Sequence, residues 1–122
     1  MALPLSIIII AKNEQLRIKE CIESVHGWAN EIIVVDDQST DQTREIAAQY
    51  TNKIFQRTME LEGRQRNFGV DQASNDWVMM LDCDERPTAE LKKEIEVLLQ
   101  NPPDKTIAFW IPQICYLGNV HI

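Results

Sequence analysis

The sequence predicts an α/β fold of three layers, α/β/α, with a mainly parallel sheet and the character of a Rossmann-like nucleotide-binding half. Two observations predict it: apolar, β-branched runs alternate with helical periodicities along the chain, and the runs end in short polar turns, several of them acidic. Strand and helix alternating this regularly imply right-handed βαβ crossovers, which leave the strands parallel and both sheet faces covered.

The first run, residues 5–10, holds four consecutive isoleucines between Pro4 and Lys12-Asn13-Glu14, and predicts a strand buried on both faces. Ile18, Cys21, Ile22 and Val25 then recur at helical spacing before Gly27, which predicts an amphipathic helix with Asn13 and Glu14 as its caps. The pattern repeats with an apolar run at 31–35, a polar turn at 36–41 and a helical stretch at 43–50. Ser39 or Thr40 is expected to cap that helix, with Asp41 at its positive end. A short strand at 53–56, a helix at 64–73 and an apolar strand at 77–81 follow. Thr88 is placed to cap a further helix whose Leu91, Ile95, Leu98 and Leu99 share a face. Asn101-Pro102-Pro103-Asp104 ends it, and 106–111 predicts one more strand, interrupted by Pro112.

Composition narrows the function. With 12 Lys and Arg against 19 Asp and Glu, the net charge is −7 and only Lys92-Lys93 is an adjacent basic pair. Phosphate-backbone binding depends on clustered cations releasing counterions, so nucleic acid is excluded as a partner. A 44% hydrophobic and 25% charged composition over 122 residues suits one domain spanning 1–122 with a core of its own. Cys21, Cys83 and Cys115 are odd in number and far apart, which argues against a disulfide framework or a zinc knuckle and for a reducing compartment. The apolar N-terminal run is too short to span a bilayer and has no basic region before it, so a cytoplasmic location is expected.

The chemistry is expected at the carboxyl ends of the strands, where open parallel sheets bind ligands. Those ends read Lys12-Asn13-Glu14, Asp36-Asp37 and Asp82-Cys83-Asp84-Glu85. A single acidic turn is most simply a helix cap or a solvated loop. Two acidic clusters at neighbouring strand ends raise one another's pKa and favour a cation near them. Asp82-Cys83-Asp84 has the two-residue spacing of a strand, so both carboxylates are expected to leave one face of an extended segment. Such a pair suits Mg²⁺ or Mn²⁺, hard ions that keep positions open for phosphate oxygens. A lone Asp-x-Asp is frequent by chance; its place after the apolar Trp-Val-Met-Met-Leu gives it weight.

Four segments now stand in order: Leu-Ser-Ile-Ile-Ile-Ile-Ala-Lys-Asn-Glu (5–14), Ile-Ile-Val-Val-Asp-Asp-Gln-Ser-Thr-Asp (32–41), Gly-Arg-Gln-Arg-Asn-Phe-Gly (63–69) and Asp-Trp-Val-Met-Met-Leu-Asp-Cys-Asp-Glu (76–85). In order and spacing they resemble family 2 glycosyltransferases, most of all bacterial enzymes that add a glucose-type sugar to the lipopolysaccharide core. The resemblance implies a GT-A fold and an inverting transfer of a hexose from a UDP-sugar to a saccharide or glycolipid acceptor, in lipopolysaccharide core or other cell-envelope glycan synthesis. It implies that Asp37 accepts the uracil imide N–H, a fitting role for an acceptor-only carboxylate. It further implies that Arg66, beside Asn67, lies near base and diphosphate, that Asp82 contacts the ribose, and that Asp84 ligates a divalent metal, Mg or Mn, whose charge assists departure of the nucleoside diphosphate. Gly69 and Ala73 would let their helix lie close to the sheet and bring Arg66 to the strand ends. Cys83 reads as a small buried hydrophobe, Lys12 as a surface lysine, and His26 and His121 have no assigned role.

Family 2 enzymes run to about twice this length, and their catalytic base lies well beyond the Asp-x-Asp. The acids after Glu85 are Glu90, Glu94, Glu96 and Asp104, in the last helix or the turn after it, so the base is expected beyond Ile122 and the chain is expected to stop short of an acceptor half. An apolar edge around Phe109, Trp110, Ile111 and Ile114 would then favour self-association, and the full-length enzyme would associate peripherally with the inner membrane face. Two alternatives stand beside this reading. One is a non-catalytic nucleotide-binding fragment. The other is a response-regulator receiver domain, which matches the length and the acidic strand ends but wants its acid pair after the first strand.

Overall fold

The computed structural model describes residues 2–101, 116–117 and 120–121. The order of elements is β1 (Leu3–Ala11), α1 (Ile18–Glu23), β2 (Ala29–Asp36), α2 (Thr43–Ala47), β3 (Ile54–Gln56), α3 (Glu62–Asp71), β4 (Trp77–Met80) and α4 (Ala89–Gln100). A two-residue pair, β5 (Tyr116–Leu117) and β6 (Val120–His121), forms a separate antiparallel ladder that the sequence did not announce. The strand expected at 106–111 and its apolar edge lie outside the described residues.

The four main strands form one sheet in the order β3-β2-β1-β4, and every pairing is parallel. This order matches the Rossmann-like 3-2-1-4 series. A receiver-type sheet would place the third strand beside the first, in the order 2-1-3, so the receiver alternative does not survive. The reversal of order between β1 and β4 is the switch point at which such sheets open a crevice at the strand carboxyl ends.

The isoleucine run explains why β1 is central. Ile7 and Ile9 point to one face and join Ile18, Cys21, Ile22 and Val25 of α1 and the segment after it, Ala47 of α2, and Leu91, Ile95 and Leu99 of α4. Ile8 points to the other face and packs with Ile33, Val35, Phe55, Phe68 and Ala73 beneath α3. A strand with both faces covered needs an unbroken apolar run, and that is what 7–10 supplies. Leu98 is absent from the cluster that Leu91, Ile95 and Leu99 join. Gly69 is where α3 meets the sheet: a Cβ there would come within 2.4 Å of Ile8 Cγ2. The close approach expected of this glycine is present.

Some caps fall differently from expectation. Thr88 caps α4, accepting the Leu91 N–H at 3.1 Å, and Gly27 takes φ +82° after α1. Ser39 and Thr40 do not cap α2. Asp41 instead accepts the Thr43 N–H at 3.0 Å, while Ser39 turns to Asp36. Asn13 does not cap α1 either; its Oδ1 accepts the Thr40 N–H at 2.8 Å, and the Glu14 carbonyl, not its carboxylate, receives the Ile18 N–H. These side chains are used between loops because the two loops lie side by side, a neighbourhood no local pattern encodes.

At the opposite end of the strands a buried carboxylate ties the sheet together. Glu31 accepts from Ser6 Oγ at 2.5 Å, from Ser74 N–H and Oγ at 2.8 Å each, and from Lys53. Burial by itself would raise its pKa; the hydrogen bonds from Lys53, Ser6 and Ser74 outweigh that and hold it at about 2. A hollow of about 660 Å³ opens at that end, beside Glu31, Lys53, His26 and Tyr50. It lies away from the carboxyl ends where parallel sheets bind ligands, and His26 there stacks edge-on against Tyr50.

Candidate functional site

A cleft of about 260 Å³ opens at the switch point, lined by the ends of β1 and β2, the α3 face and the turn after β4. It brings Asp37, Arg66, Asp82 and Asp84 together, four residues spread over 48 positions of sequence. Lys12, Glu14, Arg17, Met59, Glu62 and Cys83 share its wall. Asn67, the neighbour of Arg66, is exposed and not on that wall.

One wall of the cleft is built by two loops of similar shape. Asn13 and Gln38 each take φ 51°, the left-handed region that few residues other than glycine adopt. Each follows a residue at the end of its strand, Lys12 after β1 and Asp37 after β2, and the Ala11–Asp36 register sets those two side by side. Cross-links hold the loops: Asn13 N–H donates to Ser39 Oγ at 2.8 Å, and Glu14 N–H to Thr43 Oγ1 at 2.8 Å.

The two aspartates ending β2 do different work. Asp36 is fully buried and turned inward, accepting from Ser39 N–H at 2.9 Å, Ser39 Oγ at 2.6 Å and Arg44 Nη1 at 3.1 Å. Asp37 faces the cleft; its Oδ1 accepts the Met59 N–H at 3.0 Å, and its Oδ2 lies 3.8 Å from the Lys12 ammonium. The mutual repulsion expected within these acidic pairs is relieved by the chain's own cations, since Asp36 has Arg44, Asp37 has Lys12 and Asp82 has Arg66. Lys12 is exposed, as a surface lysine should be, yet it belongs to the cleft wall.

Arg66 reaches the strand ends because Gly69 lets α3 settle on Ile8. Its guanidinium spans Glu62 Oε1 at 2.7 Å and Asp82 Oδ1 at 3.1 Å. The fully buried Gln65 on the same helix braces the incoming chain, accepting from Arg57 Nη1 at 2.8 Å and donating to the Arg57 carbonyl at 2.6 Å. Polar residues among charged neighbours carry no periodicity, which is why Gln65 escaped the sequence reading.

The Asp82–Glu85 segment corrects an expectation. β4 ends at Met80, and the segment is a turn closed by Glu85 N–H on the Asp82 carbonyl at 2.9 Å, not an extension of the strand. The shared face therefore cannot come from a two-residue period; the turn itself brings both aspartates to the cleft. Cys83 is buried, as expected, with its Sγ 3.8 Å from the Ile10 carbonyl oxygen. Burial, and then nearby negative charge, pushes its thiol upward, which keeps it protonated and unreactive.

The donor set suits a hard divalent ion held sparingly. Among the described residues no three His, Cys, Asp or Glu side chains converge to cage a metal, so the cleft offers a pair of carboxylates, Asp84 exposed and Asp82 half-exposed. Mg²⁺ and Mn²⁺ are commonly held by one or two carboxylates, with water and phosphate completing the shell. On the wall, Glu14 Oε1 accepts from Arg17 Nη2 at 2.7 Å, while its Oε2 is buried with no hydrogen-bond partner among the described residues.

Comparison with known proteins agrees with the geometry. The profile described as Glycosyl transferase family 2 matches residues 6–116. A glycosyltransferase of Rickettsia typhi is 37% identical over 117 residues, covering 94% of this chain and 40% of that protein. The lipopolysaccharide core biosynthesis glycosyltransferase LpsC of Rhizobium meliloti is 34% identical over 102 residues, covering 80% of this chain and 37% of its own length. The crystal structure of Staphylococcus aureus TarS 1-349 in complex with UDP superposes with a TM-score of 0.63 at 27% identity, covering 82% of this chain and 32% of that one. The UDP complex of Mycobacterium tuberculosis glucosyl-3-phosphoglycerate synthase gives 0.58 at 26% identity, covering 66% of this chain and 34% of that one. This chain thus spans about two-fifths of the length of the curated relatives it matches. With a GT-A sheet, a switch-point cleft and a profile that runs through nearly all of its residues, the chain belongs to glycosyltransferase family 2.

Proposed function

We propose that this chain is the donor-nucleotide domain of an inverting glycosyltransferase that moves a hexose from a UDP-sugar to a saccharide or glycolipid acceptor in lipopolysaccharide core or other cell-envelope glycan synthesis. The observation that carries the reading is Asp37: it lines the cleft with one carboxylate oxygen anchored by the Met59 N–H and the other 3.8 Å from the Lys12 ammonium. A carboxylate so fixed accepts an imide N–H such as that of uracil and repels the N1 lone pair of adenine. The UDP complexes of TarS and glucosyl-3-phosphoglycerate synthase support a uridine donor, and LpsC supports the lipopolysaccharide acceptor class.

In this reading Asp37 orients the base, Asp82 binds the ribose hydroxyls, and Arg66 lies beside the diphosphate and offsets its charge. Asp84 would hold a Mg²⁺ or Mn²⁺ ion. That ion supplies Lewis-acid stabilisation of the charge that gathers on the departing diphosphate. The base that deprotonates the acceptor hydroxyl is supplied from outside residues 1–122, as is the acceptor site. Action at the inner membrane face belongs to the same proposal; among the described residues no helix is long and apolar enough to cross a membrane.

Calorimetric titration of UDP, GDP and ADP tests it. UDP is expected to bind best, and Asp37→Ala to lose about 1 to 3 kcal/mol, the worth of a charged hydrogen bond. Mn²⁺ is expected to raise UDP affinity in the native chain and not in Asp84→Asn. Equal affinity for ADP and UDP overturns the reading.

A further inference from the structure

The turn that carries Asp82 and Asp84 is held at its main chain by two side chains that have no part in the proposed ligand contacts. Glu85 Oε1 accepts the Asp82 N–H at 2.8 Å. From the other side, Cys21 Sγ of α1 donates to the Asp82 carbonyl at 3.4 Å, alongside the Glu85 N–H at 2.9 Å. With Arg66 on Oδ1 at 3.1 Å, the Asp82 peptide groups and its side chain are all fixed. A four-residue turn has no ladder to place it, so these bonds set where the two aspartates stand.

We propose that Glu85 and Cys21 are positioning residues that hold the Asp82–Asp84 turn in its metal-ready shape, and that Glu85 is not itself a metal ligand. The inference rests on the assignment of Asp84 to a divalent ion made above. Three features separate Glu85 from its neighbours. Its Oε1 is engaged with the backbone of its own turn. It is not among the residues that line the cleft, whereas Asp82, Cys83 and Asp84 all are. It also forms no three-carboxylate cluster with Asp82 and Asp84 able to cage a metal. Cys21 is fully buried, with its Sγ 3.4 Å from the Asp82 carbonyl oxygen. Groups that orient metal ligands typically change metal affinity 10- to 100-fold when removed, although they never touch the ion.

The test is UDP titration with and without MnCl₂ on the 122-residue chain and its variants, together with amide hydrogen exchange at Asp82. Glu85→Gln keeps an oxygen acceptor for the Asp82 N–H and is expected to retain both the Mn²⁺-dependent gain in UDP affinity and the protected Asp82 amide. Glu85→Ala is expected to lose about tenfold of that gain and to expose the amide. Cys21→Ser, a small donor, should retain more of the gain than Cys21→Val. Loss of the Mn²⁺ effect in Glu85→Gln with the Asp82 amide still protected would make Glu85 a ligand and overturn the proposal. So would a Glu85→Ala variant that keeps both the gain and the protection. If the native chain shows no Mn²⁺ effect, the metal assignment of the previous section fails, and the exchange of the Asp82 amide alone decides whether Glu85 and Cys21 position the turn.

Discussion

Single residues decide how closely the layers approach and what the cleft can bind. Gly69 is the sharpest case: a Cβ there meets Ile8 Cγ2 at 2.4 Å, so either the buried Ile8 side chain or α3, which carries Arg66, has to shift. Gly69→Ala is expected to cost about 1 to 3 kcal/mol in urea unfolding, the usual penalty of overpacking, and to weaken UDP binding in parallel. Lys12 behaves oppositely. Its ion pair with Asp37 is 62% exposed on the lysine side, so Lys12→Ala should leave the melting temperature nearly unchanged. Glu31 gives the protein a pH response that does not involve the cleft. Its pKa is depressed to about 2 by Lys53, Ser6 and Ser74 against the opposing effect of burial. A depressed carboxylate contributes stability that is fully present above its unfolded value near 4.5 and is lost as pH falls through about 2. Urea unfolding at pH 7, 4 and 2.5 should show that loss, at most about 3 kcal/mol, shrinking in Glu31→Gln.

At the scale of elements, the loops after β1 and β2 act as one unit. Thr43 is fully buried and joins them, accepting from Glu14 N–H at 2.8 Å and donating to Asp41 Oδ1 at 2.5 Å. Thr43→Val keeps the shape but leaves the Glu14 N–H without its acceptor, an expected cost of about 1 to 3 kcal/mol by thermal unfolding. Because Lys12 and Asp37 stand on these loops, nucleotide affinity should fall as well. How far each element was legible in the sequence follows the reach of the signal that made it. The isoleucine run, the α1 face and the Thr88 cap depend on neighbours within a turn or two of chain, and they came out as expected. The caps proposed for Asn13, Ser39 and Thr40 did not, because these residues bond across 26 or 27 positions to the adjoining loop, as Asn13 does to Ser39 and Thr40.

For the whole molecule, the proposal is donor binding without transfer. Transfer requires an acceptor hydroxyl in line with the anomeric carbon and a base within hydrogen-bond reach of its proton. Beyond the Asp82–Glu85 turn, the described carboxylates ride on α4: Glu90 and Glu94 face solvent, Glu96 accepts from Trp28 Nε1 at 3.0 Å, and none of the three lines the cleft. An assay of UDP release with a lipopolysaccharide-core saccharide should therefore show nucleotide binding and no acceptor-dependent turnover. Robust turnover by this chain would place a base within residues 1–122.

The fold class was within reach of the sequence, because apolar periodicity and turn composition are local, and so was the meeting of Asp37, Arg66, Asp82 and Asp84 near the strand ends, because the four motifs keep their order along the chain. Tertiary structure alone decided the rest. It separated the two adjacent aspartates, sending Asp36 inward to Ser39 and Arg44 and Asp37 into the cleft, where the Met59 N–H and Lys12 of the neighbouring loop meet it. It made Asp82–Glu85 a turn where the periodicity of the strand suggested extension, since the Glu85 side chain competes for the Asp82 N–H. And it ordered the strands 3-2-1-4, because that order depends on which sheet edge each crossover returns to, a contact made between residues far apart in the chain.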